Sequence, residues 1–157
     1  MSKAKPIPIT PNRVIVDSRE RKGIFEAVAA YSIAHPEPLA LPVGDFWIRR
    51  RDGGLVVVEH KYHDISLDWP TRLPTQIARC RAGADEVVLL VEDIHPHLDN
   101  GKLISGRKIR GVYYDQIWSW VYRQQVEWGL RVYQCGEGEE DVARAVRAIF
   151  KYYRRKE

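Results

Sequence analysis

The stretch "VVVEHKYHD", residues 56–64, places charged side chains directly after a run of β-branched apolar residues. Glu59 and Lys61 are two positions apart, so the alternation of a strand directs both side chains to the same face of a sheet. A carboxylate can hold a hard divalent cation through oxygen, and an ammonium group can stabilise the charge that develops on a reacting phosphate. The stretch therefore indicates a site for phosphodiester hydrolysis at the end of a strand.

Two further acids occur at the ends of predicted strands. Asp17 follows the apolar run "VIV", and Asp45 opens the first strand of a predicted hairpin whose second strand leads to Glu59. A divalent ion bound by such carboxylates neutralises a scissile phosphate and lowers the pKa of a bound water molecule. Each acid alone is typical of a strand-end charge that reaches solvent. Their combination with Lys61 favours an active site.

The bulk properties of the sequence restrict the class of protein. The 157 residues, of which 45% are hydrophobic, predict a single domain over 1–157 with a substantial core. No run approaches the ~18 apolar residues of a membrane span, and the polar N-terminal "MSKAKPIPITP" lacks the core of a signal peptide. Two cysteines, Cys80 and Cys135, make no disulfide framework and predict an intracellular protein. The net charge of +4 is compatible with a nucleic-acid partner without requiring one.

The hydrophobic periodicity predicts a mixed α/β layer fold in the order β-α-β-β-α-β-α-β-α. A "DGG" turn separates the two strands of the hairpin, and the continuous apolar run "EVVLLVE" predicts a fully buried strand. The predicted elements are a strand at 13–17, a helix at 23–35, hairpin strands at 45–51 and 54–61, a helix at 75–82, a strand at 86–92, a loop at 94–112, a helix at 114–128, a strand at 130–135 and a helix at 138–155.

Four ordered blocks, "VIVDSRE", "LPVGDF", "VVVEHK" and "RLPTQIAR", resemble the nuclease domain of the XPF-type structure-specific endonucleases, within the PD-(D/E)XK superfamily. The resemblance covers roughly residues 13–92. It implies a restriction-endonuclease-like fold, with a mixed central sheet flanked by helices. It also implies a Mg²⁺- or Mn²⁺-dependent endonuclease that cuts branched or junction DNA in repair, recombination or replication, and that pairs as a homodimer.

The resemblance assigns expected roles to individual residues. Asp17, Asp45 and Glu59 match metal-site acids, Glu20 matches a supporting carboxylate, and Lys61 matches the catalytic lysine. Polar positions expected to support the site or to contact the DNA backbone are Arg19, Arg72, Gln76 and Arg79.

The sequence departs from the family pattern in three ways. His60 stands where the family usually has an arginine, and an imidazole cannot reproduce the two-pronged phosphate contact of a guanidinium group. We expect His60 to point to the face opposite Glu59, where a catalytic and an ordinary core role both remain open. The family's distal aspartate could be Asp64 or Asp68. No helix-hairpin-helix module is present in the sequence, so we expect a free-standing nuclease core.

The segment between the last central strand and the aromatic helix is rich in glycine and basic residues. Glycine allows a backbone to approach a phosphate, and basic side chains supply counter-charge, although a solvated loop has a similar composition. We predict that this segment is a mobile loop that clamps DNA beside the cut site. Its basic residues are Lys102, Arg107, Lys108 and Arg110.

The helix predicted at 114–128 carries a core stripe of Ile117, Trp118, Val121 and Trp128, whereas Trp120 lies outside it. This wide apolar face is the feature of the sequence that favours a homodimer. The alternatives to a nuclease are a non-catalytic DNA-binding or scaffold subunit with the same fold, and an assembly protein with a merely solvated basic surface. Retention of the acids and the lysine favours the enzyme.

Overall fold

The computed structural model describes residues 13–155, so the polar N-terminal segment considered above lies outside the described residues. A five-stranded sheet in the order β1-β2-β3-β4-β8 forms the centre. Its strands are β1 (Ile15–Val16), β2 (Phe46–Arg49), β3 (Leu55–Lys61), β4 (Glu86–Glu92) and β8 (Arg131–Cys135).

The sheet is mixed, and its pairing directions bring the predicted acids to one edge. β1, β2 and β3 pair antiparallel, whereas β3, β4 and β8 pair parallel. Phe46, the first residue of β2, lies opposite Val58 of β3. Asp45 therefore lies beside Glu59, because an antiparallel partner begins where β3 ends.

Helices cover both faces of the central sheet. On one face α1 (Lys22–Ala29) and α5 (Glu139–Arg154) pack against Val56 and Val58, and on the other α3 (Arg72–Gly83) and α4 (Tyr114–Trp128) pack against Val57. All seven residues of β3 are buried as a result. None of the helices within residues 13–155 has the length and apolar character needed to cross a bilayer.

Two helix predictions near the site differ from the structure. α1 ends at Ala29 rather than continuing to 35, because the backbone turns through a left-handed Ser32 (φ 59°) and then pairs Ala34 with Val14. α3 begins three residues earlier than predicted, at Arg72 rather than at 75. Pro74 is tolerated there because the first turn of a helix has no intrahelical use for its N–H. A one-turn helix that the sequence analysis missed, α2 (Ile65–Asp68), precedes it.

The predicted loop at 94–112 is wrong: the segment forms a second, three-stranded antiparallel sheet. Its strands are β5 (Ile94–Pro96), β6 (Lys102–Ser105) and β7 (Lys108–Tyr113). Gly106 and Arg107, with φ of 58° and 62°, form the two-residue turn between β6 and β7. Such a turn needs positive φ at both central positions and usually carries Asn-Gly, so a Gly-Arg pair gave little signal.

The aromatic helix is confirmed at its predicted bounds, but its buried stripe is narrower than predicted. Ile117 and Val121 are buried, whereas the side of the helix at Trp128 is open and this tryptophan is 61% exposed. The Arg81 guanidinium lies over its ring, 4.9 Å from the centroid. Trp120 packs against Trp69 with their ring centroids 5.7 Å apart, which is the second apolar contact outside the stripe.

Candidate active site

A cavity of about 410 Å³ opens at the edge of the sheet where β3 ends and β2 begins. It is bounded by the turn after β1, the start of β2, the end of β3, and helices α2 and α3. Nine of the residues predicted for the site line it: Asp17, Arg19, Glu20, Asp45, Glu59, Lys61, Arg72, Gln76 and Arg79.

Asp45 and Glu59 form the acidic centre of the cavity. The backbone N–H of His60 donates to Asp45 Oδ2 at 2.7 Å, and the Cys80 thiol donates to Glu59 Oε2 at 3.6 Å. Gly44 precedes Asp45 in a left-handed conformation (φ 72°), and a Cβ atom there would collide with the side chain of Val57. The glycine is thus required for the backbone to bring Asp45 against β3.

The two carboxylates are short of neutralising charge. Burial, followed by the negative charges of Glu59 and Glu20, raises the pKa of Asp45 to about 8. Burial also raises the pKa of Glu59, although the nearby Lys61 acts in the opposite direction. Crowded acids that resist ionisation are typical of sites where a cation supplies the missing charge.

Lys61 extends into the same cavity as Glu59, as the alternation of β3 predicts. Its Nζ lies 3.6 Å from Glu59 Oε1, 3.7 Å from Asp64 Oδ2 and 2.6 Å from Asp68 Oδ2. Asp68 is therefore its principal partner. Although burial alone would lower the pKa of Lys61, the hydrogen bond to Asp68 and the neighbouring carboxylates raise it. The lysine stays an ammonium ion, so it can stabilise negative charge but is not a base at neutral pH.

Asp17 lies in the cavity wall with both oxygens engaged. Oδ2 accepts from Arg19 Nε at 2.9 Å, and Oδ1 accepts from the Leu41 backbone N–H at 2.9 Å. A second guanidinium nitrogen of Arg19 donates to the Leu41 carbonyl at 2.6 Å. The predicted role of Asp17 as a metal ligand stays a prediction, and it would require release of the ion pair with Arg19.

The donor set at the centre of the cavity fits a small divalent cation. Among residues 13–155, no three acid, histidine or cysteine side chains are placed closely enough to ligate one ion. Mg²⁺ does not need such a cage, because it is commonly held by one or two carboxylates together with water and substrate phosphate. Asp45 and Glu59, with raised pKa values and oxygen donors facing one cavity, meet that requirement.

His60 points to the opposite face from Glu59, as predicted, and lies between two carboxylates. Its Nδ1 is 3.0 Å from Glu20 Oε2, and its Nε2 is 2.8 Å from Glu92 Oε1. Burial opposes protonation, but the hydrogen bonds to Glu20 and Glu92 raise the pKa of His60 to about 9. The imidazole is thus doubly protonated at neutral pH and donates from both nitrogens.

Glu92 is the residue that sequence reasoning missed. It was assigned only to a buried strand, "EVVLLVE", although a glutamate that ends a fully buried strand requires a partner. That requirement was the available signal. Its partner could not be deduced, because His60 and Glu92 are 32 positions apart and meet only through the parallel pairing of β3 with β4.

The predicted DNA contacts separate into two groups. Arg19, Arg72, Gln76 and Arg79 line the cavity, and Gln76 Oε1 is buried with no hydrogen-bond partner within the described part of the chain. The second group lies outside the cavity, on the β6–β7 hairpin: Lys102, Arg107, Lys108 and Arg110. The hairpin turn nevertheless lies beside the active edge, because a Cβ atom on Gly106 would be 3.3 Å from the hydroxyl of Tyr62, the residue after Lys61.

A mixed sheet between two helical layers, with acids and a lysine at one edge, defines a restriction-endonuclease-like fold, and the predicted fold class is confirmed. More particularly, the chain has an XPF-type nuclease fold. No known family of sequences matches it, and neither does any curated protein sequence.

Two solved structures of XPF from Aeropyrum pernix are similar to this chain. The first has a TM-score of 0.69 at 21% identity and covers 92% of this chain. The second, a complex with DNA, has a TM-score of 0.67 at 19% identity and covers 90% of this chain. The matches span 62% and 64% of those longer chains. At these identities the likeness establishes the fold.

The raised pKa of Asp45 predicts a pH-dependent cost in stability. The unfolded chain ionises this carboxyl group near pH 4, whereas the folded protein resists ionisation up to about pH 8, so stability is lost as the pH rises through this window. Asp45→Asn keeps an acceptor for the His60 N–H and removes the charge. We expect its melting temperature in EDTA to exceed that of the unaltered protein at pH 7–8, and Mg²⁺ or Mn²⁺ to stabilise only the unaltered protein.

Asp52→Asn is the control, because the pKa shift of Asp52 is opposite to that of Asp45. The Gly54 N–H lowers the pKa of the exposed Asp52. The melting temperature of Asp52→Asn should not rise at pH 7–8. The proposed charge deficit would be contradicted if the melting temperatures of the unaltered protein and Asp45→Asn varied in parallel with pH. It would also be contradicted if Mn²⁺ raised both melting temperatures equally.

Proposed function

We propose that this chain is a metal-dependent, structure-specific DNA endonuclease that hydrolyses phosphodiester bonds in branched or junction DNA. The observation that supports this proposal is the convergence of Asp45, Glu59 and Lys61 on one cavity at the edge of an XPF-type nuclease fold. A non-catalytic subunit of the same fold would need neither the buried ammonium nor the acid pair beside it, and both are present.

Asp45 and Glu59 would hold Mg²⁺ or Mn²⁺, and the bound ion would polarise the phosphate and lower the pKa of the attacking water. The chain itself supplies the remaining electrostatics. Lys61, held by Asp68 at 2.6 Å, places a fixed ammonium beside the position of the reacting phosphate. The exposed guanidinium group of Arg72 at the cavity rim is suited to bind a flanking phosphate in a forked geometry, whereas Arg19 already donates to Asp17 and Leu41 and would add positive charge near the phosphate.

Two observations support DNA as the partner. A similar solved structure, XPF from Aeropyrum pernix, is a complex with DNA. In this chain, basic residues line the cavity rim, and the turn of the β6–β7 hairpin lies near Tyr62, the residue after Lys61. The two free thiols, Cys80 and Cys135, support the proposal that the protein acts inside the cell.

Cleavage should depend on each member of the central set. We expect Asp45→Ala, Glu59→Ala and Lys61→Ala each to lower the cleavage rate of a flap, fork or four-way junction by about 10²–10³-fold, as loss of a preorganised electrostatic group does. DNA affinity should change little. Gel assays with Mg²⁺ and with EDTA measure both quantities. Cleavage that persists in EDTA, or in all three variants, would contradict the assignment.

His60→Ala should be milder than Lys61→Ala in the same assay. The His60 ring extends from the face of β3 opposite Lys61 and is held by Glu20 and Glu92, whereas Lys61 Nζ lies among the cavity acids. An equal loss in both variants would instead show a direct catalytic role for the imidazole.

We further propose that the β6–β7 hairpin contacts DNA next to the cut site. Arg107 and Lys108 at its tip are exposed, whereas Arg110 is partly occupied by two hydrogen bonds to the Ser105 carbonyl, at 3.1 and 2.9 Å. Arg107 adopts a left-handed backbone conformation that is unfavourable for a non-glycine residue and that turns its side chain out at the tip.

The combined change of Arg107, Lys108 and Arg110 to alanine should weaken binding to every junction about equally, because phosphate contacts carry little sequence information. Each lost contact should lower the slope of log affinity against log salt by roughly 0.9 on duplex DNA. The double variant Arg107→Ala with Lys108→Ala, which retains Arg110, should show most of the loss in affinity and in salt slope. The matched control replaces three basic residues on helices away from the hairpin: Arg123, Arg144 and Lys151. An unchanged slope in the triple variant would contradict the clamp.

We propose that two copies of the chain pair through the exposed face of α4. Tyr122 and Val126, one helical turn apart, are 68% and 66% exposed, and no described residue covers them. Light scattering at high micromolar concentration should give a dimer, and Tyr122→Ser with Val126→Ser should give a monomer. Leu98→Ser, at an apolar residue that is 96% exposed elsewhere, is the control. A monomeric unaltered protein would contradict this proposal.

A further inference from the structure

Glu92 is a fully buried carboxylate outside the active cavity, and three separate segments donate hydrogen bonds to it. Its Oε1 accepts from Arg21 at 2.7 Å and lies 2.8 Å from His60 Nε2, whereas its Oε2 accepts from the Gly138 N–H at 2.9 Å. These donors come from the turn after β1, from β3 and from the residue before α5. Glu92 is 0% exposed.

Such a network is a poor source of stability by itself. Taking a charged pair out of water costs several kcal/mol per ion, and apolar replacements of similar volume are often neutral or stabilising. The arrangement is better explained by what it holds in place. Arg21 and the Gly138 N–H neutralise Glu92 from the outside, which leaves its contact with His60 as the one directed toward the active edge.

His60 connects Glu92 with the cavity. Its ring lies between Glu92 at Nε2 and Glu20 at Nδ1, and its backbone N–H donates to Asp45. Glu20 lines the active cavity, whereas Glu92 does not. An imidazole is a rigid ring with two N–H groups at fixed directions, so fixing Nε2 also fixes the direction in which Nδ1 donates.

We infer that Glu92 is a positioning residue that acts through His60 to hold the Glu20 carboxylate at the wall of the active cavity. Without Glu92, the His60 ring loses the partner at Nε2 that fixes its orientation, and Glu20 loses its fixed donor. The contribution of Glu92 to cleavage rests on the proposed nuclease function. The geometric part, the coupling of Glu92 to Glu20, can be measured without any activity.

The geometric test uses the full chain labelled with ¹³C at the glutamate carboxyl groups and observed by NMR. The Glu20 signal is assigned by its loss in Glu20→Gln. We expect Glu92→Gln and His60→Gln each to shift this signal, because the first removes the charge that holds the His60 ring at Nε2 and the second removes the imidazole that donates to Glu20. The exposed Glu127, which bonds only to Arg123 at 3.1 Å in the described structure, provides the control variant Glu127→Gln. A Glu20 signal that is unmoved in folded Glu92→Gln overturns the inference, and His60→Gln decides it if Glu92→Gln does not fold.

The kinetic test separates positioning from mere stability. Glu92→Gln should lower kcat on junction DNA by about tenfold, as loss of an outer-shell partner does, with little change in KM. His60→Gln, whose amide can donate from one nitrogen only, should be impaired similarly. His60→Arg, which offers several donors, should recover most of kcat. Equal activity of His60→Gln and His60→Arg would overturn the inference, whereas a wild-type chain that cuts no DNA would overturn the proposed function and leave the NMR test to decide the coupling.

Discussion

Three consecutive ionisable residues at the end of β3 are buried in the centre of the molecule, and the surroundings must neutralise them. Glu59, His60 and Lys61 are each at most 9% exposed. An isolated charge in such a position carries a large desolvation penalty, so every one of them needs a partner from another segment. The turn after β1, the start of β2, the end of β4 and helix α2 all meet at this point, and each supplies an oxygen to one of the three residues or lies against them.

The alternation of the strand divides this charge between two environments with different degrees of compensation. On the face of β3 opposite Glu59 and Lys61, His60 has a carboxylate at each ring nitrogen, and Glu92 also has Arg21 and the Gly138 N–H. That side is fully paired. On the cavity face, Lys61 is satisfied by Asp68, but Asp45 and Glu59 share too little positive charge. The paired side supports the site, and the unpaired side is where we propose that a cation and a phosphate bind.

This division also predicts that the site costs stability. Gly44 must adopt a left-handed conformation to place Asp45 against β3, and Asp45 then resists ionisation up to about pH 8. Neither feature improves packing. A charge deficit at one edge, held by a well-packed sheet with helices on both faces, is the arrangement expected where binding rather than folding selected the residues.

Residues close together in sequence determined much of this protein. The period of two in β3 places Glu59 and Lys61 on one face and His60 on the other, and the hairpin around "DGG" returns Asp45 to the same edge, because both relations depend only on local geometry. Only the tertiary structure decided the rest. Asp68 rather than Asp64 holds Lys61 because a one-turn helix intervenes, and Glu92 reaches His60 because β4 pairs parallel with β3. Trp128 stays largely exposed, although the Arg81 guanidinium lies over its ring, and the basic segment forms a hairpin through a Gly-Arg turn. The pairing of β3 with β4 and the cover of α4 depend on long-range packing, which no local pattern of residues encodes, whereas the one-turn helix and the Gly-Arg turn are local but carry weak sequence signals.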